Sequence, residues 1–449
     1  MQRQIISGYL ALALVGCSVG PDYKAPMISL SERFEGGSST EIGQVNQRRW
    51  WRDLNDRQLD ILVERGLSRN LSLQSALAAV RVAQGRLAAS GAANQQNSSL
   101  SASQTRQEPK IGPATTMQSA TVNATYVLDL FGGLHRGQQQ ARAGLQAAEY
   151  DVGTARLAYL STLVGTYIDM RYAQESLELT RQAIKSQQEL RKIVQDEFDV
   201  GAVAELQVAQ AQAALDQVIA QLPDLESKFE ASVFGIATLL AEPAGPLLKT
   251  LQRGAPQPLA RTRPAIGVPA ELLRNRPDIL AAERSYAAAI AGVGVSEAAL
   301  YPSLALSGTI STSTAANTFA FGPAFSLPIF NQQSLRGNRQ AAIATAEQAE
   351  IAWRSTVLSA AQDVQTAQSA LSASMRQVAR LRAVVDSNRR VLELTKSAYE
   401  QGASPLTDFI NATQSVTQSR MALAGALQQA ASNWLSLQVA SGSGWAVER

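Results

Sequence analysis

From Asn338 to Gln401 the chain contains neither glycine nor proline. At 1.5 Å per residue an unbroken helix over that stretch reaches roughly 95 Å, whereas globular helices average about 11–12 residues. No compact core encloses such an element, so its packing partners must be comparably long. The run stops at Gly402 in "YEQGASPLTDFIN", and "FDVGAVAELQVAQ" sets a matching glycine, Gly201, 201 residues earlier. No proline occurs from Ala114 to Leu222, which allows a second long helix over 134–200.

The apolar spacing says what these helices pack against. Val357, Val364, Leu371, Val378, Val385, Leu392 and Tyr399 recur every seven residues, with Ala360, Ala367, Ser374 and Leu381 three residues on. In the first half Leu163, Met170, Leu177, Ile184, Arg191 and Phe198 keep the same spacing. A seven-residue stripe of large and small side chains implies knobs-into-holes packing and a left-handed supercoil. Glycine adopts the left-handed backbone that ends a helix. Past Gly201 and Gly402 the chain is therefore expected to fold back in helices over 204–240 and 405–439, with Pro405 in the first turn of the second. Simple helix termination and a docking role for the two glycine breaks are both compatible with this pattern.

Three blocks recur in order, which marks an internal twofold repeat. Asn70-Leu71-Ser72-Leu73 corresponds to Arg276-Pro277-Asp278-Ile279, "ATYVLDLFGGLHRG" to "AFSLPIFNQQSLRG", and the glycine breaks to each other. Each half reads helix, strand pair, long helix, break, helix. The boundaries are 56–241 and 270–440, with strand pairs in 98–128 and 303–329 and the second long helix over 338–401. A Pro/Gly-interrupted connector of little regular structure is expected over 242–269, and a tail over 441–449. Within the strand pairs Leu304, Leu306 and Ile310, then Phe319, Phe321, Phe325, Leu327 and Ile329, alternate with smaller or polar residues. Val122, Ala124, Tyr126 and Leu128 do the same in the first half. Such alternation fits a strand with lipid on one face and water on the other, and equally an ordinary half-buried hairpin. Four strands do not close a membrane barrel, so several copies of the chain would have to contribute.

Charged residues are only 17% of the chain, aromatics 6% and the net charge +3. The basic residues are scattered, which argues against a nucleic-acid partner. The single cysteine, Cys17, and single histidine, His135, exclude a disulfide framework and leave no Cys/His metal site. Cys17 follows Arg3 and the apolar stretch Ile5 to Val15, too short to span a bilayer. Leu14-Val15-Gly16-Cys17 resembles the bacterial lipobox. Residues 1–16 then form a signal peptide, residues 17–55 a lipidated extended segment, and Cys17 carries lipid as the only covalent addition; an incidental cysteine after an ordinary signal is the other reading. By resemblance to sorted lipoproteins, Ser18 favours the outer membrane. No later segment offers an apolar run long enough for a transmembrane helix.

The blocks "WWRDLNDRQLDILVERGLSRNLSL", "RPDILAAERSYAAAIAGVGVSEAALYPSLALSG", "YVLDLFGG" and "FSLPIF" resemble those of the outer membrane efflux proteins, the TolC-like channel-tunnels, and more narrowly their lipoprotein branch. The resemblance implies a mainly α fold with a membrane β-barrel, in which a homotrimer pools four strands per chain into one twelve-stranded outer-membrane barrel. A long coiled-coil periplasmic α-barrel would continue below it. It further implies a passive exit duct for small molecules, working with a periplasmic adaptor and an inner-membrane transporter of the RND type. In that family the adaptor meets the hairpin tips, which map onto Val200, Gly201 and Ala202 and onto Gly402 and Ala403, with Gln401 departing from valine. The family's constriction maps onto Tyr399, Asp408 and Asn411. Ser404 stands where an arginine occurs and Gln207 where an aspartate occurs, so a charged latch is expected to be missing and packing to hold the closed state. Three copies of Asp408 would form a cation-attracting ring; as a solvated acid in the first turn of a helix it is also explained locally.

His135 reads as a solvated or capping residue, and Gly132-Gly133 as a turn, because no Gly-Lys-Ser/Thr follows. Trp50-Trp51 suits an anchor for the N-terminal segment, or a membrane interface. An enzyme is disfavoured by the lack of a free thiol after lipidation, the single histidine and the lack of clustered carboxylates with ligand spacing. A periplasmic adaptor or structural lipoprotein is the alternative, though an adaptor carries a single hairpin and no membrane-like strand pairs.

Overall fold

The computed structural model describes residues 18–34, 43, 45–91, 95–260 and 269–446; Cys17 lies outside them. A short 3-10 turn over Trp50–Leu54 leads into helices α1 (Arg57–Arg69) and α2 (Leu71–Ser90). Strands β1 (Gln96–Gln107) and β2 (Thr115–Leu128) follow, then α3 (Gly133–Asp199), α4 (Glu205–Ile219), α5 (Leu222–Leu240) and α6 (Ala244–Leu251). The second half holds α7 (Pro277–Ala298), β3 (Ser303–Ser313), β4 (Asn317–Ser326), α8 (Gln332–Glu400) and α9 (Leu406–Ala440). The two long helices are 67 and 69 residues. Among the described residues no helix is long and apolar enough to cross a membrane.

The chain divides into two compact units that cut across the halves read from the sequence. One draws on Met1–Ser29, Ala76–Val152 and Pro277–Leu358, the other on Leu30–Ser75, Gly153–Arg276 and Ser359–Arg449. Neither half is a unit, because strands and helices of one half pair with those of the other.

In the first unit β1, β2, β3 and β4 lie side by side in one antiparallel sheet. The halves join at β2 and β3, where Tyr126 faces Leu306 and Val122 faces Ile310. The register runs on into β4, with Leu304 opposite Phe325, Gly308 opposite Phe321 and Ile310 opposite Phe319. Directly paired residues share a face. One face therefore collects Val122, Tyr126, Leu306, Ile310, Phe319 and Phe321, and the chain leaves all of them exposed, Phe321 at 83%. The other face is a hydroxyl and amide lattice, in which Thr121 Oγ1 lies 2.9 Å from Ser311 Oγ and Thr309 donates to Asn123 at 3.0 Å. β4 stops at Ser326. Leu327 and Ile329, expected to extend its alternation, fall instead in the link to α8, where Pro328 has no N–H for a ladder.

Residues 18–23 are seated on this unit. Val19 N–H donates to Phe131 O at 3.1 Å, and buried Arg136 donates to the carbonyls of Val19 and Gly20 and to Asp22 at 2.9 Å. Gly132 has φ 75°, and a Cβ there would stand 2.6 Å from Ser18 Oγ.

In the second unit the returning helices run antiparallel to the long ones. Asn388 donates to Ser415 O at 3.2 Å and Asn433 to Ala370 O at 3.1 Å, so as one residue number falls the other rises by the same amount. α9 also reaches α3, through Arg420 to Gln182 and Gln428 to Asp169. Most of the stripe expected on α8 is the buried seam: Val357, Val364, Leu371, Val378 and Val385 are buried together with Ala360, Ala367 and Ser374, while Leu381, Leu392 and Tyr399 are half-buried. On α3 the expected stripe fails after Leu177. Ile184 is half-buried, Arg191 and Phe198 are exposed, and the seam runs one residue earlier through Ser176, Ala183 and Leu190, with Thr180, Gln187 and Val194. Small and polar residues carry it, which is why an apolar count misses it.

Three further expectations need correcting. The return over 204–240 is broken at Ala220 and Gln221, since Pro223 at the start of α5 supplies no N–H and its ring opposes the carbonyl four residues back. The connector is not structureless, because α6 buries Leu247 and Leu251. Pro405 is the residue before α9 rather than within its first turn.

A buried ion pair ties α1 to α3. Asp56 caps α1 by accepting from Gln58 N–H at 2.9 Å, and takes Arg171 at 3.1 Å and the Tyr167 hydroxyl. Trp50 stacks edge-on against Trp51 and Trp434 and donates to Ser443 O at 3.0 Å, so this tryptophan pair anchors the N-terminal segment to α9 and its end. Arg171→Met leaves the Asp56 carboxylate without its buried counter-ion and is expected to cost about 3–5 kcal/mol. Urea unfolding checks this; a loss below about 1 kcal/mol would show the pair to be dispensable.

Candidate functional site

The two glycine breaks are built alike. At the end of α3, Gly201 N–H donates to Phe198 O and Ala202 N–H to Glu197 O, both at 2.8 Å. At the end of α8, Gly402 N–H donates to Tyr399 O and Ala403 N–H to Ala398 O, again both at 2.8 Å. These paired bonds satisfy carbonyls that the last helical turn leaves open, and they require a left-handed residue between them. The φ values are 75° at Gly201 and 71° at Gly402. A Cβ at either position would meet nothing within 4 Å, so the backbone angle and not crowding selects glycine.

The helices that restart after the breaks are capped differently. In α4 the Gln207 side chain reaches back to Ala204 N–H at 3.1 Å, while alanine offers no side-chain acceptor in return. In α9 Pro405 has no N–H to offer, and Asp408 at the equivalent position accepts from the Ser404 hydroxyl at 3.1 Å. Gln207 and Asp408 are thus counterparts in the first turn of each returning helix. Asp408 and Asn411 are both exposed, as are Val200, Gly201, Ala202, Gly402 and Ala403. Val200, at 80%, presents an uncovered apolar side chain beside the first break.

Behind this polar surface both breaks share one core. Leu190 and Val194 of α3, Ala211 and Ala214 of α4, and Phe409 and Ile410 of α9 are buried together, with Leu392 and Tyr399 of α8 packed against them. The Tyr399 ring lies 5.7 Å from that of Phe409, and its hydroxyl donates to Glu197 Oε2 at 2.6 Å. Burial, and then the bond to Glu197, push the Tyr399 hydroxyl above its ordinary pKa, so it remains the donor throughout the neutral range. Glu197 was not anticipated from the sequence: its signal was its place one turn before Gly201, facing the second hairpin. The Ser404 hydroxyl bonds Asp408, in the first turn of its own helix.

Elsewhere His135 is exposed, its N–H held by Asp129 at 2.8 Å and its ring by Gln139. Among the described residues no group of three His, Cys, Asp or Glu side chains is placed to hold a metal ion.

A helical protein with paired hairpin breaks and a four-stranded sheet apolar on an uncovered face has the makings of a membrane channel. The family profile described as outer membrane efflux protein matches residues 62–242 and 268–443. Nodulation protein T of Rhizobium leguminosarum bv. trifolii is 35% identical over 97% of this chain and 96% of its own. The pyoverdine export outer membrane protein OpmQ of Pseudomonas aeruginosa is 28% identical over 99% and 97%. Among solved structures, the outer-membrane channel OprN superimposes with a TM-score of 0.85 at 28% identity, covering 96% of this chain and 100% of that one. The chain belongs to the outer membrane efflux protein family. It is a TolC-like outer-membrane efflux channel with a periplasmic tunnel, and a duct rather than an enzyme.

Two tests follow from the break geometry. Gly201→Asn should be tolerated better than Gly201→Val, the latter costing about 1–2 kcal/mol or more because β-branched residues resist the left-handed region. Equal unfolding midpoints for the two would show that positive φ is not the constraint. Tyr399→Phe should cost about 1 kcal/mol at pH 7. Because the folded state raises the hydroxyl's pKa, that stabilisation is complete below the unfolded value of about 10 and is lost as pH rises beyond it. The gap between wild type and variant should therefore narrow above pH ~10; a gap constant to pH ~12 would rule out the phenol as donor.

Proposed function

We propose that the chain works as a homotrimeric exit duct of a tripartite pump, served by a periplasmic adaptor and an inner-membrane transporter of the RND type. The observation that carries this is the sheet. β1 and β4 are edges, and the face bearing Phe319, Phe321 and Phe325 is covered by none of the described residues. Unpaired strand edges are not sustained in hydrocarbon, so the edges of one copy must pair with those of others. Three copies supply twelve strands, within the range of membrane barrels. The twin breaks, and a family profile matching two segments of similar length, support descent from a duplicated half.

Cys17 is proposed to carry the lipid. Ser18, the next residue, packs on Gly132 just after β2, so acyl chains on its neighbour would enter the layer bordering the sheet's apolar face. Val200, Gly201 and Ala202, with Gly402 and Ala403, are proposed as the adaptor contact, which suits their exposure and the uncovered Val200. Tyr399, Asp408 and Asn411 are proposed to line the constriction. Exposed Asp408 side chains from three copies would form an acidic ring, and the apolar cluster with the Tyr399–Glu197 bond would hold it closed in place of an ionic latch.

Single-channel conductance of the purified protein in planar bilayers tests the reading. Cation-selective pores blocked by multivalent cations are expected, with the block weakened in Asp408→Ala. Unchanged block in the variant would move the constriction elsewhere, and a trimeric sample without pores would overturn the duct itself.

A further inference from the structure

The second unit holds a cationic groove between α1 and α6. A cavity of about 600 Å³ and an adjoining one of about 270 Å³ share Gln58 and Thr250. Their cations are Arg57, Arg65, Arg69, Arg171, Lys249 and Arg253, against the two carboxylates Asp56 and Glu242. The whole chain carries only +3, so this one surface gathers more net charge than the entire sequence. Both carboxylates are already engaged: Asp56 by Arg171 at 3.1 Å, Glu242 by Arg65 at 3.1 Å and Arg69 at 2.5 Å. Among the described residues no carboxylate pairs with Arg57, Lys249 or Arg253, and all three are exposed. Arg57 is moreover the first residue of α1, where the helix dipole disfavours a cation.

We infer that this groove binds an acidic peptide segment of a periplasmic protein. The cations along α1 run from Arg57 to Arg69, about 18 Å at the helical rise, so a ligand must carry spaced charges and not a single one. An extended chain of about five or six residues spans that distance. The first N–H groups of α1, at Gln58 and Leu59, are taken by the Asp56 carboxylate, so no backbone nest is left for a phosphate. What remains are guanidinium forks, whose geometry matches carboxylates and phosphates alike, the Gln58 amide, which accepts and donates to peptide groups, and the Thr250 hydroxyl, which donates to Pro246 O and is left to accept.

The test is fluorescence anisotropy of a labelled twelve-residue alternating Glu/Gly peptide with the full-length detergent-solubilised protein. Arg57→Gln/Lys249→Gln/Arg253→Gln should weaken binding about tenfold, the sum of three exposed charge pairs. Arg380→Gln/Arg382→Gln/Arg389→Gln, which removes equal charge from exposed positions on α8, should leave binding unchanged. Single-channel conductance checks that the groove variant is intact, and if it is lost the single Lys249→Glu substitution replaces it, with a smaller loss expected. Equal loss in both triple variants, no binding by the wild type, or displacement by millimolar inorganic phosphate or by vesicles rich in anionic lipid would each overturn the assignment.

Discussion

The long helices depend on the seams along their flanks. A helix of 67 or 69 residues gains little from propensity alone, and most of its stability comes from burying one stripe against partners of similar length. In keeping with that condition, α9 lies against both α8 and α3, through Asn388 to Ser415 and Arg420 to Gln182. Small seam residues such as Ala360, Ser374, Ala426 and Ala430 suit close approach of the backbones along that stripe. The positions of the two breaks then follow: each long helix must stop where its return begins, and the shared cluster around Leu190 and Phe409 brings both stops together.

The sheet obeys the opposite logic. Its hydroxyl face is satisfied internally by pairs such as Thr121 with Ser311, while its aromatic face and both edges are left to the surroundings. A chain that leaves Phe319, Phe321 and Phe325 uncovered is stable only where water is absent from that face. The same polypeptide therefore contains helices that bury seams against one another and a sheet whose aromatic face no described residue covers. Residues 18–23 are held at the joint after β2 through Arg136, by its bonds to Gly20 and Asp22.

Legibility in the sequence tracked how strongly each residue type signals its environment. The α8 seam could be read because valine and leucine occupy it, and the α3 seam could not beyond Leu177, because Ser176, Thr180 and Gln187 look like surface residues until a neighbouring helix covers them. Gly201 and Gly402 announced the breaks, since few residues besides glycine hold their angles. Pro223 announced a break too, but was passed over within an otherwise helical pattern. The polar contacts made over long sequence separations, Tyr399 with Glu197, Arg171 with Asp56 and Arg136 with Asp22, were invisible: a charged residue carries no local mark of a partner more than 100 positions away.

The chemistry at the breaks has a consequence for how they would part. Glu197 and Tyr399 make a bond between a carboxylate and a neutral hydroxyl, and the Ser404 hydroxyl bonds Asp408. An ion pair at an exposed surface weakens as salt rises within a Debye length of about 8–10 Å. A hydrogen bond backed by the apolar contact of Tyr399 with Phe409 is screened far less, because most of its strength lies in short-range geometry and burial. In the proposed duct, opening would have to separate Leu190 and Val194 from Phe409 and Ile410 and admit water between them. A partner that inserts its own apolar side chains beside exposed Val200 could replace that lost burial, whereas added charge or salt alone could not.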